Sequence, residues 1–73
     1  MQYLVVQFDE DRSVIVNMAP GAWRTNRILQ LQAGNYVITL APPLAFTPPE
    51  IWLELKNTTV LQPKTITFAK VQP

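Results

Sequence analysis

Apolar and polar residues alternate with a period of two along most of this chain, and the alternation is cleanest between Leu29 and Leu40. Leu29 and Leu31 interleave with Gln30 and Gln32; after Ala33-Gly34-Asn35, Tyr36, Ile38 and Leu40 interleave with Val37 and Thr39. A side-chain period of two describes a strand with one face toward a core. Gly and Asn tolerate positive φ, so residues 33–35 predict a tight hairpin turn between two strands.

The same pattern extends to either side. From Gln2 to Phe8, Leu4, Val6 and Phe8 share one face and Tyr3, Val5 and Gln7 the other. Two partly apolar faces suit a strand covered on both sides or lying at an interface. The polar turn Asp9-Glu10-Asp11-Arg12 then predicts a hairpin between this strand and a second one, Ser13 to Asn17. Met18 to Arg27 carries two signals. Ala19-Pro20-Gly21 is turn chemistry leading into the alternating strand, whereas Pro20 as a helix start and Gly34 as a C-cap would give a helix near 22–33 and an α+β domain. The strand is the leading reading because Leu29 to Gln32 alternates strictly.

Ala41 to Pro49 holds four of the seven prolines, so this connection is expected to be extended and semi-rigid. In Glu50 to Lys56, Ile51, Leu53 and Leu55 point one way and Trp52, Glu54 and Lys56 the other. Asn57-Thr58-Thr59 turns the chain and Val60-Leu61 offers a brief pairing. Lys64 to Val71 closes the fold, with Ile66 and Phe68 inward and Thr65 and Thr67 outward. The expected architecture is all-β: a single domain over 1–73, built as a small antiparallel β-sandwich or partly open barrel of about six to seven strands.

Composition sharpens this picture. Seventy-three residues build one small core, and cores of this size supply only about 3–5 kcal/mol. The chain has no cysteine and no histidine, which removes disulfides and a structural zinc site as supplements. Charged residues make up 15 %, against about 25 % in ordinary soluble domains, while hydrophobic residues make up 48 %. So little charge leaves neutral and apolar surface exposed, which favours a protein partner or self-assembly. A net charge of +1 exerts no long-range pull on nucleic acid or anionic membrane. The charge-free stretch Ile28 to Pro49 contains Gln30, Gln32, Gly34, Asn35 and four prolines, so it does not read as a membrane-spanning helix. Met1 to Phe8 lacks the basic start and apolar length of a signal peptide, which makes the cytoplasm the default location.

Candidate chemistry is sparse. Without histidine or cysteine, the commonest general base and the commonest activated nucleophile are missing. Glu50 and Glu54 lie about 13 Å apart along a strand, too far for a local acid–base pair. Asp9-Glu10-Asp11 lacks the alternate spacing of a calcium loop and reads as a solvated turn. No catalytic residue, cofactor or metal site is expected. Trp23, Arg24 and Arg27 form the best polar–aromatic cluster and would suit stacking on a base beside a phosphate. Leu44 and Phe46, in the proline-rich stretch, either fold back to cap the core or act as rigidly presented anchors for a partner. Trp52 shares the outward face of its strand with Glu54 and Lys56, where it sits at a rim or under a second chain.

From Ser13 onward the chain resembles the PEGA-type repeat, a bacterial and archaeal β-sandwich related in architecture to transthyretin-like and carboxypeptidase regulatory-like domains. The shared features are Val14-Ile-Val-Asn17, a turn at Gly21, Arg24-Thr25 before the next strand, and Leu29-x-Leu31-x-x-Gly34-x-Tyr36-x-Ile38-x-Leu40. Ile51–Leu55 and Ile66–Phe68 fall where that family places its closing pair. The resemblance implies a non-catalytic interaction or structural module. Together with the composition, it makes a homo-oligomer or accessory subunit the leading expectation, with Trp23, Leu44, Phe46 and Trp52 as partner contacts. Two alternatives remain open: a small nucleic-acid-binding β-barrel using Trp23, Arg24 and Arg27, and a carbohydrate- or small-ligand-binding module using an exposed tryptophan.

Overall fold

The computed structural model describes residues 1–71 and contains nine strands and no helix among them. In chain order these are β1 (Gln2–Gln7), β2 (Ser13–Val16), β3 (Ala19–Arg24), β4 (Ile28–Leu31), β5 (Gly34–Leu40), β6 (Phe46–Thr47), β7 (Ile51–Leu55), β8 (Lys64–Thr67) and β9 (Ala69–Lys70). They form a four-stranded sheet in the order β3-β2-β5-β7, a three-stranded sheet β4-β1-β8, and a two-stranded ribbon β6-β9. The helix near 22–33 does not form: Ala19–Arg24 and Ile28–Leu31 are both strands. The excess over six or seven strands includes the short β6 and β9. The expected domain limit also takes in Gln72 and Pro73, which lie outside the described residues.

Two expected hairpins are corrected. β1 does not pair with β2, and β4 does not pair with β5; in each case the two strands belong to opposite sheets. The alternation correctly predicts which residues face the core, yet an inward row is equally satisfied by a neighbour in the same sheet or by a strand across the core. Residues 8–12 and 32–33 therefore act as corners between sheets. At the second corner the Tyr36 hydroxyl donates back to the Gln32 carbonyl at 2.6 Å, the tyrosine-corner device of β-sandwiches. Gly34 and Asn35 already belong to β5, opposite Leu55 and Glu54. The hairpin that does form is β2–β3, whose two-residue loop Asn17-Met18 has φ of 51° and 64°. Positive φ at both positions is the requirement of a type I′ turn, whose twist matches that of the strands.

The sandwich is also not purely antiparallel. β1 is the middle strand of its sheet, antiparallel to β4 but parallel to β8, with Val6 opposite Ile66. The long excursion between β1 and β8 builds the opposite sheet and so permits the parallel pairing, which a hairpin could not.

One core cluster draws on all three sheets. Leu4, Val6, Leu29, Leu31 and Ile66 come from the three-stranded sheet, and Val14, Val16, Ile38, Leu40 and Leu55 from the four-stranded one. Phe8, Phe46 and Phe68 close one end. The Phe46 ring stands edge-on to Phe8 at 6.3 Å and to Phe68 at 5.5 Å, the geometry that aromatic quadrupoles favour. The inward rows expected from the sequence are thus mostly buried, including Ile66 and Phe68, while Tyr36, Ile51 and Leu53 pack on the core half-buried. Val60 and Leu61 form no strand and are exposed.

Candidate interaction surface

The corner at residues 8–12 meets the β3–β4 corner, and polar side chains stitch the two together. Thr25 is 1 % exposed, yet its hydroxyl donates to the Glu10 carbonyl at 2.7 Å and accepts from the Arg12 amide at 2.9 Å. Asn26 behaves like an extra strand residue beside Phe8. Its side-chain oxygen accepts from the Phe8 amide and its NH2 donates to the Phe8 carbonyl, at 3.1 and 2.8 Å. Its own amide donates to the Val6 carbonyl at 2.7 Å, from a left-handed backbone with φ 64°. Asparagine is among the few residues that accept such a φ. These bonds satisfy the backbone groups that a β1–β2 hairpin would otherwise have paired.

The charged residues of the turn mostly pair internally. Arg12, with a side chain only 11 % exposed, pairs with Glu10 and lies 5.2 Å from the centre of the Phe8 ring. Its guanidinium also donates to the Pro43 carbonyl at 2.7 Å, which anchors the proline-rich segment. Glu10 further pairs with Lys70 at 3.2 Å. Asp11 accepts two bonds from Arg24, each 3.0 Å. The Arg24 bonds hold the Asp11 carboxyl below the usual aspartate range, and the Asp11 bonds raise Arg24 in turn. Among the described residues no group of acidic side chains is placed to hold a metal ion.

The structure sets Trp23 apart from Arg24 and Arg27, whose charges both act on Asp11. Trp23 and Arg24 are consecutive in β3 and project from opposite faces. The half-buried Trp23 indole packs against the core along Gly21, where an added Cβ would lie 2.5 Å from the ring. Arg24 faces outward opposite Ser13, with Asp11 and the Ser13 hydroxyl engaging its nitrogens. Arg27 is exposed beyond the strand. A neutralised arginine and a core-facing indole do not make a base-stacking platform.

Leu44 and Phe46 separate as well. Phe46 is 5 % exposed and sits in the aromatic end of the core, so it is corrected from partner anchor to core residue. Leu44 stays 74 % exposed. The segment presenting it is pinned at both ends, by Arg12 on Pro43 and by β6 against β9, with Val71 donating to the Ala45 carbonyl at 3.0 Å.

Trp52 is the fourth candidate, and it is 75 % exposed. It stands on the outward face of β7, opposite Val37, two residues along from Glu54 opposite Asn35. On the same face, Ile15 of β2 lies opposite Thr39 of β5 and Pro20 of β3. The outer face of the four-stranded sheet thus carries Pro20, Ile15, Val37 and Trp52, with Thr39 opposite Ile15 and with Asn35 and Glu54 beside the Val37–Trp52 pair. Sequence reasoning found Trp52 through strand alternation. It missed Thr25, Asn26 and Arg12, whose roles depend on corners that lie far apart in the chain. No family model matches this chain, and neither a curated protein nor a solved structure does so.

Proposed function

We propose that this protein is a non-catalytic protein–protein interaction or assembly module working in the cytoplasm as a homo-oligomer or accessory subunit, with a sandwich of the PEGA-like kind. The single observation that carries the reading is the exposed indole of Trp52 at the edge of a partly apolar sheet face. Large aromatic side chains on such a face are favoured anchors for a partner. The exposed Leu44 on its pinned segment supplies a second, rigid contact. The resemblance to the PEGA-like pattern is supported by the burial of its apolar row Leu29, Leu31, Ile38 and Leu40.

The test is solution mass by light scattering across a dilution series at low and high salt, with tryptophan emission read in parallel. A salt-insensitive multimer whose emission shifts to the blue supports an apolar interface covering Trp52. A monomer with unchanged emission throughout ends self-assembly as the reading and leaves only a different protein as partner. An exposed Trp52 also suits stacking on a sugar ring. Quenching of its emission by simple oligosaccharides would favour that second reading over assembly.

A further inference from the structure

We infer that β7 is a self-complementary edge, on which a second copy of this chain docks antiparallel about a two-fold axis through Leu53. The inference rests on the assembly reading and specifies its geometry. The two larger sheets have four edges: β3, β7, β4 and β8. β3 is interrupted by Pro20, which has no amide to donate, and by a register shift between Ser13 and Ile15. Proline and irregular pairing are the usual protection of an edge. β4 and β8 have four residues each. β7 has five, without proline or glycine, and its register with β5 is unbroken from Leu55 to Ile51. It is the longest uninterrupted edge among the described residues.

Its side chains choose the partner. A two-fold axis normal to the sheet keeps inward residues facing inward residues, so only a few registers are open. Centred on Leu53, the pairing sets Ile51 against the partner's Leu55 and Trp52 against the partner's Glu54. It also sets Glu50 against the partner's Lys56, and each contact occurs twice. Centring on Trp52 would put Glu50 opposite the partner's Glu54, and centring on Glu54 would put that residue opposite its own copy. Like charges directly opposite destabilise a strand pair, whereas opposite charges support it. Centring on Leu55 would also join Glu54 to the partner's Lys56, but it leaves Ile51 and Trp52 without a partner; of the registers that pair all of β7, the one at Leu53 joins unlike charges and avoids like ones.

A second observation agrees. Ile51 and Leu53 point inward and pack on the core, yet they remain only half-buried because no strand lies beyond them. A second β7 in the Leu53 register extends the inner face with leucine and isoleucine and completes their burial. It also pairs the edge amides and carbonyls of β7, giving one continuous eight-stranded sheet.

Charge exchange between two variants tests this. Glu50→Lys gives a strand with lysine at both ends, and Lys56→Glu gives one with glutamate at both ends. Both positions are exposed, so each variant keeps the parent fold, as circular dichroism would verify. Each alone should dimerise roughly tenfold more weakly than the parent, and a one-to-one mixture should recover parental affinity as the mixed dimer. The register is read separately by mixing Trp52→Cys with Glu54→Cys, in a chain that has no other cysteine, under mild oxidation. Cross-links should join the two different variants and not two copies of one. A parent multimer that neither charge variant weakens, or cross-links mainly between like variants, overturns this edge while the assembly reading stands. A parent that is monomeric at every concentration overturns the edge and self-assembly together.

Discussion

At the scale of single residues, left-handed backbone sits on asparagines and on one methionine. Asn17, Asn26 and Asn57 have φ between 51° and 64°, and Met18 has φ 64° while 89 % exposed. Such a backbone costs a residue with a Cβ about 1–2 kcal/mol, and Met18 has no buried contact to offset it. Met18→Gly should therefore raise stability by about 0.5–1 kcal/mol in urea unfolding, with the hairpin unchanged. Asp11 yields a prediction in pH. Its folded-state carboxyl lies below the ordinary aspartate value because Arg24 bonds the charged form. The stability it contributes is therefore present above the unfolded aspartate value and is lost as pH falls through the lower folded value. Asp11→Asn should flatten the acid side of the thermal midpoint profile as pH falls below the ordinary aspartate value. The pair is exposed, so added salt should shrink the difference. Asparagine's tolerance of turns is legible in a sequence, but a methionine in a type I′ turn is not, because its own preference argues against the position.

At the scale of elements, the proline-rich segment shows how neighbours in sequence take opposite roles. Leu44 and Phe46 are both apolar and two residues apart, and no periodicity runs through the prolines to orient them. Phe46 is drawn inward because its two-residue strand pairs with β9 and its ring fits between Phe8 and Phe68. Phe46→Ala should cost about 3–5 kcal/mol in chemical unfolding. Leu44→Ala should change stability by less than about 0.5 kcal/mol. If Leu44 contacts a partner, the second variant weakens assembly without touching the fold, which mass measurements at fixed concentration would show. In β3 the missing side chain of Gly21 is what lets Trp23 lie along its own strand. The sequence marks that glycine as a turn, whereas the structure uses it as floor space for an indole.

At the scale of the whole molecule, the two sheets are joined by corners, and the joint at residues 25–26 holds both. Asn26→Ala removes two side-chain bonds to Phe8 and leaves alanine at φ 64°. The expected loss is about 2–3 kcal/mol. Asn26→Gly keeps the backbone and loses only the bonds, so it should recover roughly 1 kcal/mol of that. Equal losses in the two variants would show that the left-handed backbone carries no cost there.

What the sequence determined by itself was the all-β class and, wherever apolar and polar residues alternate, the direction of the side chains. Leu4, Val6, Val14, Val16, Leu29, Leu31, Ile38, Leu40, Leu55 and Ile66 are inward in the structure as their alternation demands. A period of two is a local property of the chain, and burying one row of a strand needs no knowledge of what lies opposite. The partner of each strand was decided only by tertiary structure. β1 meets β4 and β8 rather than β2, and β5 meets β2 and β7 rather than β4. Those choices depend on which backbone groups the corners leave to be paired. Thr25, Asn26, Tyr36 and Arg12 settle that by reaching across four to thirty-one positions of sequence. The exposure of Trp52 is local in origin, but its place on an edge strand follows from the order in which the sheet was assembled.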